Sequence, residues 1–329
     1  MAKQKDIARE LGTSVSTVSR ALTGSREISQ EMTEKILEVA DRLDYRQQTK
    51  NTAKVSEGSM AGIIVPEIKS EYYARIAHLA TDALAAKGYS TIIMMTRFQE
   101  NEMIEAVTSM RKIHVKCLLI VMDTEETMNE RIVRAIWHSG CAVMLITSKH
   151  YPMLEFDCIH LDEYSGITMG VQHLLQRGYQ RIGCISDKIS ANRITIFKQV
   201  LNMAGIRVDP QLICVGDERA ESGGYLRMKE LLSLRNPPDA VFCSYDQMAV
   251  GAIHALRESS LRVPEDVAVL GFDNIPVAQY IEGGLTTIAN PCEDLIAIAV
   301  NVLTKRVHNK EASLQQIALR PHLIVRNTT

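Results

Sequence analysis

The 329-residue chain has no C-x-x-C pair, no long apolar run and no real excess of charge of either sign. Its seven cysteines, at 117, 141, 158, 184, 214, 243 and 292, lack the spacings that hold zinc or exchange disulfides. An odd number of thiols inside apolar runs reads as small core residues in a reducing compartment. The longest apolar run, Cys117 to Met122, falls far short of the roughly 20 residues that cross a bilayer. The start, Met-Ala-Lys-Gln-Lys-Asp, has none of the apolar stretch of a signal peptide, so a soluble cytoplasmic protein without a membrane partner is expected. The 37 Lys and Arg against 39 Asp and Glu leave a net charge of -2, which excludes a uniformly basic nucleic-acid coat but leaves room for a local basic face. There is no P-loop, G-x-S-x-G, H-E-x-x-H or G-x-G-x-x-G, and the histidines lack metal spacing. No catalytic residue, metal or cofactor is therefore expected, and the protein reads as a non-enzyme. With 46% hydrophobic and 23% charged residues the composition is globular, not disordered, collagen-like or disulfide-stapled.

What is present divides into two styles. Residues 3 to 45 carry helical periodicity, and residues 47 to 61 carry no apolar period and read as a linker. Beyond it, short apolar runs (Gly62 to Val65, Thr91 to Met95, Cys117 to Met122, Ala142 to Ile146) alternate with amphipathic segments (Tyr72 to Gly88, Glu102 to Ile113, Asn129 to Gly140). A second series places strands at Arg181 to Ser186, Leu212 to Val215, Ala240 to Ser244 and Val267 to Phe272, with helices such as Ile194 to Ala204 and Gln247 to Ser259 between them. This is βαβ wiring. Two doubly wound parallel-sheet lobes suit the size habit of domains, the alternative being one ten-strand sheet. Ligands of open parallel sheets sit off the carboxyl ends of strands, which points to Tyr72, Tyr73, Asp123, Lys149, Asp187, Tyr245, Asp246 and Asp273.

The amino-terminal helices read as helix, tight turn, helix. Lys5 to Leu11 ends at Gly12, Ser14 is placed to cap the next helix, and Ile7, Val15 and Val18 are expected to pack between the two. Ser29 caps a third helix whose stripe is Ile36, Val39, Ala40 and Leu43. The second helix then exposes small hydroxyls and one bidentate donor, a face that fits a major groove. Arg20 suits guanine N7 and O6, Ser16 suits several base edges, Val15 a thymine methyl, and Ser14 and Thr17 phosphates. Residues 1 to 54 hold ten Lys or Arg against eight Asp or Glu, so the segment is basic by two while the remainder is acidic by four. The plainer alternative is an ordinary three-helix surface with a solvated Ser/Thr face.

Lys5-Asp6-Ile7-Ala8-Arg9-Glu10-Leu11-Gly12-Thr13-Ser14-Val15-Ser16-Thr17-Val18-Ser19-Arg20-Ala21-Leu22 resembles the head of the lactose repressor (LacI/GalR) family, and Asp44-Tyr45-Arg46 resembles its exit from the third helix. Further matches are Gly62-Ile63-Ile64-Val65-Pro66, Arg181-Ile182-Gly183, Asp246 to Ala252, Val263 to Asn274 and Leu285 to Ile288, so that the likeness covers residues 3 to 326. The resemblance implies an α-helical helix-turn-helix headpiece (1–46), a hinge (47–60) and a periplasmic-binding-protein-like α/β core of two lobes (61–160 with 290–319, and 161–289 with 320–329). Crossings between the lobes are implied near Leu161, Asn290 and Arg320. It also implies a homodimer on a pseudo-palindromic double-stranded operator. No leucine-heptad tail follows the last strand, so a dimer is expected over a tetramer.

The hinge departs from the family pattern. Where the family has Pro-Asn and then Ala-Arg-x-Leu, this chain has Gln47-Gln48 and then Asn51-Thr52-Ala53-Lys54-Val55, leaving Val55 as the only apolar wedge for the minor groove. Insertion of Val55 and a plain flexible tether both stand at this point. For the effector, a small molecule expected to be a carbohydrate, the strand-end rule and the resemblance together point to Tyr72, Tyr73, Asp123, Arg193, Asp246 and Asp273. Rings would cover a sugar face while guanidinium and carboxylates bond hydroxyls. Tyr72 and Tyr73 as core aromatics, and Asp273 as a turn residue, are the structural alternatives. The aromatic that many members carry after the strand near Val215 is replaced by Glu218 or Arg219. The reading is thus an effector-controlled DNA-binding regulator, expected to repress. The alternative is a cytosolic carbohydrate sensor that acts without DNA.

Overall fold

The computed structural model describes residues 4–22, 28–43, 59–122, 129–148 and 155–329. Val55, Asp123, Lys149, the Asp44-Tyr45-Arg46 match and nearly all of the expected hinge 47–60 lie outside them. The chain forms two compact units, Met1–Val55 and Ser56–Thr329.

In the first unit α1 (Gln4–Glu10), α2 (Val15–Leu22) and α3 (Gln30–Arg42) close on a small core in which Ile7, Val18 and Ile36 are fully buried beside Ala8, Ala21, Val39 and Ala40. Gly12 takes φ +61 in the tight turn, a conformation that costs glycine nothing. The Ser14 hydroxyl accepts from the Thr17 backbone N–H at 3.0 Å, the expected cap. One expectation is corrected. Val15 does not pack between the helices; it is 46% exposed, because the first residue of α2 points away from the seam closed by Ile7 and Val18.

The second unit holds two six-stranded sheets. Five strands of the first are β1 (Met60–Val65), β2 (Ser90–Met95), β3 (Cys117–Met122), β4 (Ala142–Thr147) and β5 (Asp157–Leu161), with α4 (Glu71–Ala86), α5 (Glu100–Lys112) and α6 (Glu130–Ser139) between them. The second sheet uses β6 (Ile182–Asp187), β7 (Ile213–Gly216), β8 (Ala240–Cys243), β9 (Ala268–Phe272) and β10 (Thr286–Ala289), with α7 (Glu163–Gln176), α8 (Ala191–Met203), α9 (Ala220–Leu232) and α10 (Asp246–Glu258). After α11 (Cys292–His308), β11 (Gln316–Leu319) joins the first sheet and β12 (His322–Ile324) the second. The orders are β11-β5-β4-β3-β1-β2 and β12-β10-β9-β8-β6-β7, parallel except for the β10–β12 pair. Strands such as β3 and β4 are buried along their whole length, which is why they read as unbroken apolar runs. Among the described residues no helix is long and apolar enough to cross a membrane.

Elements absent from the sequence reading have physical reasons. Strand β5 contains Asp157 and His160, which break the apolar pattern. Asp157 is nonetheless buried, because Arg306 grips it with two hydrogen bonds of 2.7 and 2.8 Å. Helices α7 and α9 carry internal glycines that oppose helix by propensity. They are needed for close approach: a Cβ on Gly170 would sit 2.7 Å from Leu270, and one on Gly224 only 1.9 Å from the Met248 carbonyl oxygen. Gly251 on α10 faces the same crossing, its Cβ falling 1.9 Å from the Glu221 carbonyl oxygen. Gly251→Ala is therefore expected to force α9 and α10 apart, costing about 3 kcal/mol of stability. A thermal midpoint unchanged from that of the parent would contradict this packing account.

Candidate functional site

At the cap and along α2, Ser14, Val15, Ser16 and Arg20 are exposed and Thr17 is half-buried, whereas Val18 is fully buried with Ile7. The hydroxyls form their own cluster, Ser14 Oγ lying 2.7 Å from Ser16 Oγ and 2.9 Å from Thr17 Oγ1. Ser14 is thus committed to capping, while Val15, Ser16 and Arg20 present a short exposed strip of one apolar and two hydrogen-bonding side chains. The geometry suits base edges and phosphates in a groove about 12 Å wide.

In the second unit a cleft opens between the lobes, lined by Ser70, Tyr72 and Tyr73 on one side and by Glu163, Asn192, Arg193 and Asp273 on the other, with Arg219 and Tyr245 at its flank. Tyr72 and Tyr73 begin α4, pack edge-to-face with ring centres 5.3 Å apart, and belong at the same time to the buried core. Arg193, near the start of α8, donates from Nε to Glu163 at 2.7 Å, to the Ser244 carbonyl, and at 3.4 Å to Asp273. Its guanidinium carbon lies 3.9 Å over the Phe272 ring. Asp273 sits at φ +101 and also accepts from Asn290 at 3.0 Å. Burial raises its carboxyl above the ordinary range despite the opposing pull of Arg193.

Arg219 spans the cleft. Its Nε donates to Asp187 at the end of β6 at 3.0 Å, and its Nη1 donates to Glu67 of the other lobe at 2.7 Å. The Phe98 ring, also from the other lobe, lies 4.8 Å from the guanidinium carbon. Burial alone would depress this guanidinium, but the Asp187 hydrogen bond and the Glu67 charge hold it above its usual value. Tyr245 donates to the same Asp187 oxygen at 2.8 Å, and burial, then Asp187, raises its phenol. Each of the two arginines therefore lies between two carboxylates, Glu163 and Asp273 on the lining itself and Asp187 and Glu67 outside it, so among the described residues the wall carries no uncompensated positive charge. A second tie crosses between the lobes where Arg75 reaches the Asn274 carbonyl at 3.5 Å.

The cleft thus gathers Tyr72, Tyr73, Arg193 and Asp273. Asp246 is not among the residues that line it. It is fully buried, accepting from Thr287 Oγ1 at 2.6 Å and the Ile275 N–H at 2.9 Å, and so pins β10 and the turn after β9 beneath the cleft floor. Burial pushes its carboxyl up to about 8. Asp123 lies outside the described residues. Glu163, Asn192 and Ser70 were missed. Glu163 would have been found by the strand-end rule had β5 been recognised, since it follows that strand by two residues. Among the described residues no group of three or more His, Cys, Asp or Glu is arranged to hold a metal. Cys117 and Cys184 are core thiols pushed to about 12 by burial.

A capped helix-turn-helix followed by a two-lobed core with an interlobe cleft defines a ligand-responsive DNA-binding regulator. Residues 4–48 match the model for bacterial regulatory proteins of the lacI family, and residues 171–329 match a periplasmic binding protein-like domain. The transcriptional repressor PurR of Klebsiella pneumoniae is 30% identical over 343 residues, covering all of this chain and 97% of that protein. The transcriptional repressor CytR of Escherichia coli K12 is 29% identical over 336 residues, covering all of this chain and 96% of that protein. In fold, the lac repressor dimer bound to operator and the anti-inducer ONPF superposes with a TM-score of 0.75 at 22% identity, covering 99% of this chain and 98% of that one. The chain belongs to the lacI family of bacterial regulatory proteins.

Asp246 generates a pH prediction. The folded state holds its proton up to about 8, whereas the unfolded state releases it near 3.8, so the folded state binds more protons between these values and stability falls as pH rises through that window. Asp246→Asn keeps the hydrogen-bonding carbonyl and removes the titration. Urea midpoints of the variant are expected to gain on those of the parent from pH 5 to pH 8; parallel profiles would remove Asp246 as their cause.

Proposed function

We propose that the protein is a repressor whose operator affinity is set by a neutral, hydroxyl-rich effector, a sugar or sugar derivative, bound between the lobes of each subunit of a homodimer. The observation that carries the effector class is the charge pairing of the cleft. Arg193 is taken by Glu163 and Asp273, and Arg219 by Asp187 and Glu67, so an anionic ligand would meet a wall whose positive charges are already compensated. Arg97, two residues beyond β2, is likewise compensated, pairing with Glu102 at 2.9 Å. A neutral polyol needs what is present: carboxylates and amide groups that bond vicinal hydroxyls, and tyrosine rings that cover a pyranose or furanose face. Repression accords with the names of the two relatives, which span the whole chain.

On DNA, Arg20 is the base reader, and Ser16 and Val15 flank it. Two headpieces of a symmetric dimer read a pseudo-palindrome, and Val55 is the wedge if the hinge enters the minor groove. Arg20→Ala is expected to lower preference for the operator over random duplex by about ten- to a hundredfold while changing random-duplex affinity little. Equal losses on both duplexes, measured by fluorescence anisotropy at one salt concentration, would end its role as a reader.

A thermal-shift screen of neutral sugars, sugar phosphates and purines tests the effector class, since a ligand at a hundred times its Kd adds about 2.7 kcal/mol to stability. Neutral sugars are expected to stabilise the protein, and a response confined to phosphorylated compounds would overturn the reading. Arg193→Lys keeps the charge but cannot bond Glu163, Ser244 and Asp273 together. Operator binding is expected to survive in this variant and the effector dose curve to move to at least tenfold higher concentration.

A further inference from the structure

The core has a second concavity, distinct from the cleft, at the amino-terminal ends of the first sheet's strands. Arg111, Lys112, His114, Lys116 and Lys310 line a groove of about 880 Å3 whose wall contains no Asp or Glu. All five are exposed, and none forms an ion pair among the described residues. The adjoining hollow, which shares Lys310, contains the exposed Glu155 and also Asp157, the latter already held by Arg306. Basic residues at helix carboxyl ends commonly offset the helix dipole. That accounts for Arg111 and Lys112, which close α5, but not for Lys116 in the turn before β3 or for Lys310, which lies beyond the α11 cap at Asn309.

Two features decide the occupant. The groove is open and its cations stand on flexible exposed stems, so it is no cage for one small anion and suits a polymer of evenly spaced negative charges. It also lies where the chain enters the core: the Lys116 N–H donates to the Met60 carbonyl at 2.8 Å, and Met60 opens β1. In the sequence, residues 44–58 connect the DNA-reading helices to that point.

We propose that this groove holds the phosphate backbone of duplex DNA flanking the operator, so that the core adds sequence-independent affinity to what the headpiece reads. The inference rests on the DNA-binding reading above. Its signature is a salt dependence carried by the core: removing one lysine–phosphate pairing flattens the slope of log K against log salt by about 0.9.

The test uses the full-length protein on two duplexes, one trimmed to the operator and one extended by about two helical turns of about 10 bp on each side. Lys112→Gln, Lys116→Gln and Lys310→Gln are combined, with Lys198→Gln on the outer face of α8 as a control. On the extended duplex the triple variant is expected to flatten the slope by about 2 to 3 and to weaken operator and random DNA by the same factor at low salt. On the trimmed duplex the change is expected to shrink, and in an Arg20→Ala background the flattening persists because it does not depend on base reading. An unchanged slope on the extended duplex overturns the proposal, as does a loss confined to operator sequence. Stabilisation by inorganic phosphate or pyrophosphate that the triple variant abolishes, with its DNA slope intact, overturns it in favour of a small-anion site. Failure of the parent to bind any duplex at low salt overturns the DNA reading itself, a result separable from all of these.

Discussion

The core is organised around one constraint: two buried or half-buried guanidinium groups must each be compensated inside a cleft that excludes much of the solvent. Arg193 solves this within one lobe, between Glu163 and Asp273, while Arg219 solves it across the cleft, between Asp187 of one lobe and Glu67 of the other. Removing one partner of such a pair leaves a charge without compensation, which costs far more than the pair itself contributes. The carboxylates are consequently held in fixed places, and those places are the strand ends where a ligand would sit. Asp246 extends the scheme into the interior, where a carboxyl whose burial favours the protonated form ties β10 to the turn after β9.

Because Arg219 bridges the lobes, the cleft has its own crosslink, in a position where an aromatic residue would only lie against a ligand. Under the proposed reading, an effector that displaced Arg219 from Glu67 would bias the separation of the lobes, whereas one that left the pair in place would not do so through this tie. A ligand shifts such an equilibrium only by its difference in affinity for the two arrangements, typically about 1 to 3 kcal/mol in coupled sites, and the operator must alter effector affinity by the same factor. Charge pairing thus does two things here: it compensates both guanidinium groups, and it ties one lobe to the other.

Much of the fold was legible because fully buried parallel strands write themselves as unbroken apolar runs, as at Cys117 to Met122, and because capping residues and glycines mark helix ends, as at Ser14, Asn129 and Gly140. The strip on α2 was legible for the same reason: its exposed residues are those left over when Ile7 and Val18 close the seam. Tyr72, Tyr73, Arg193 and Asp273 were reachable from strand ends and from the family pattern. Glu163 and the span of Arg219 were not. The first follows a strand hidden by its own buried Asp157, and the second depends on a partner 152 residues away in sequence.

The sequence alone determined the class of the protein, the three-helix head and the alternation that winds the core, because periodicity, caps and local motifs are properties of neighbouring residues. Which carboxylate faces which arginine, whether Asp246 lines the cleft or lies beneath it, and which lysines gather into one groove were decided only by the tertiary structure. These depend on segments brought together by sheet order and by chain crossings between the lobes, and no local pattern encodes a distance between residues so far apart along the chain.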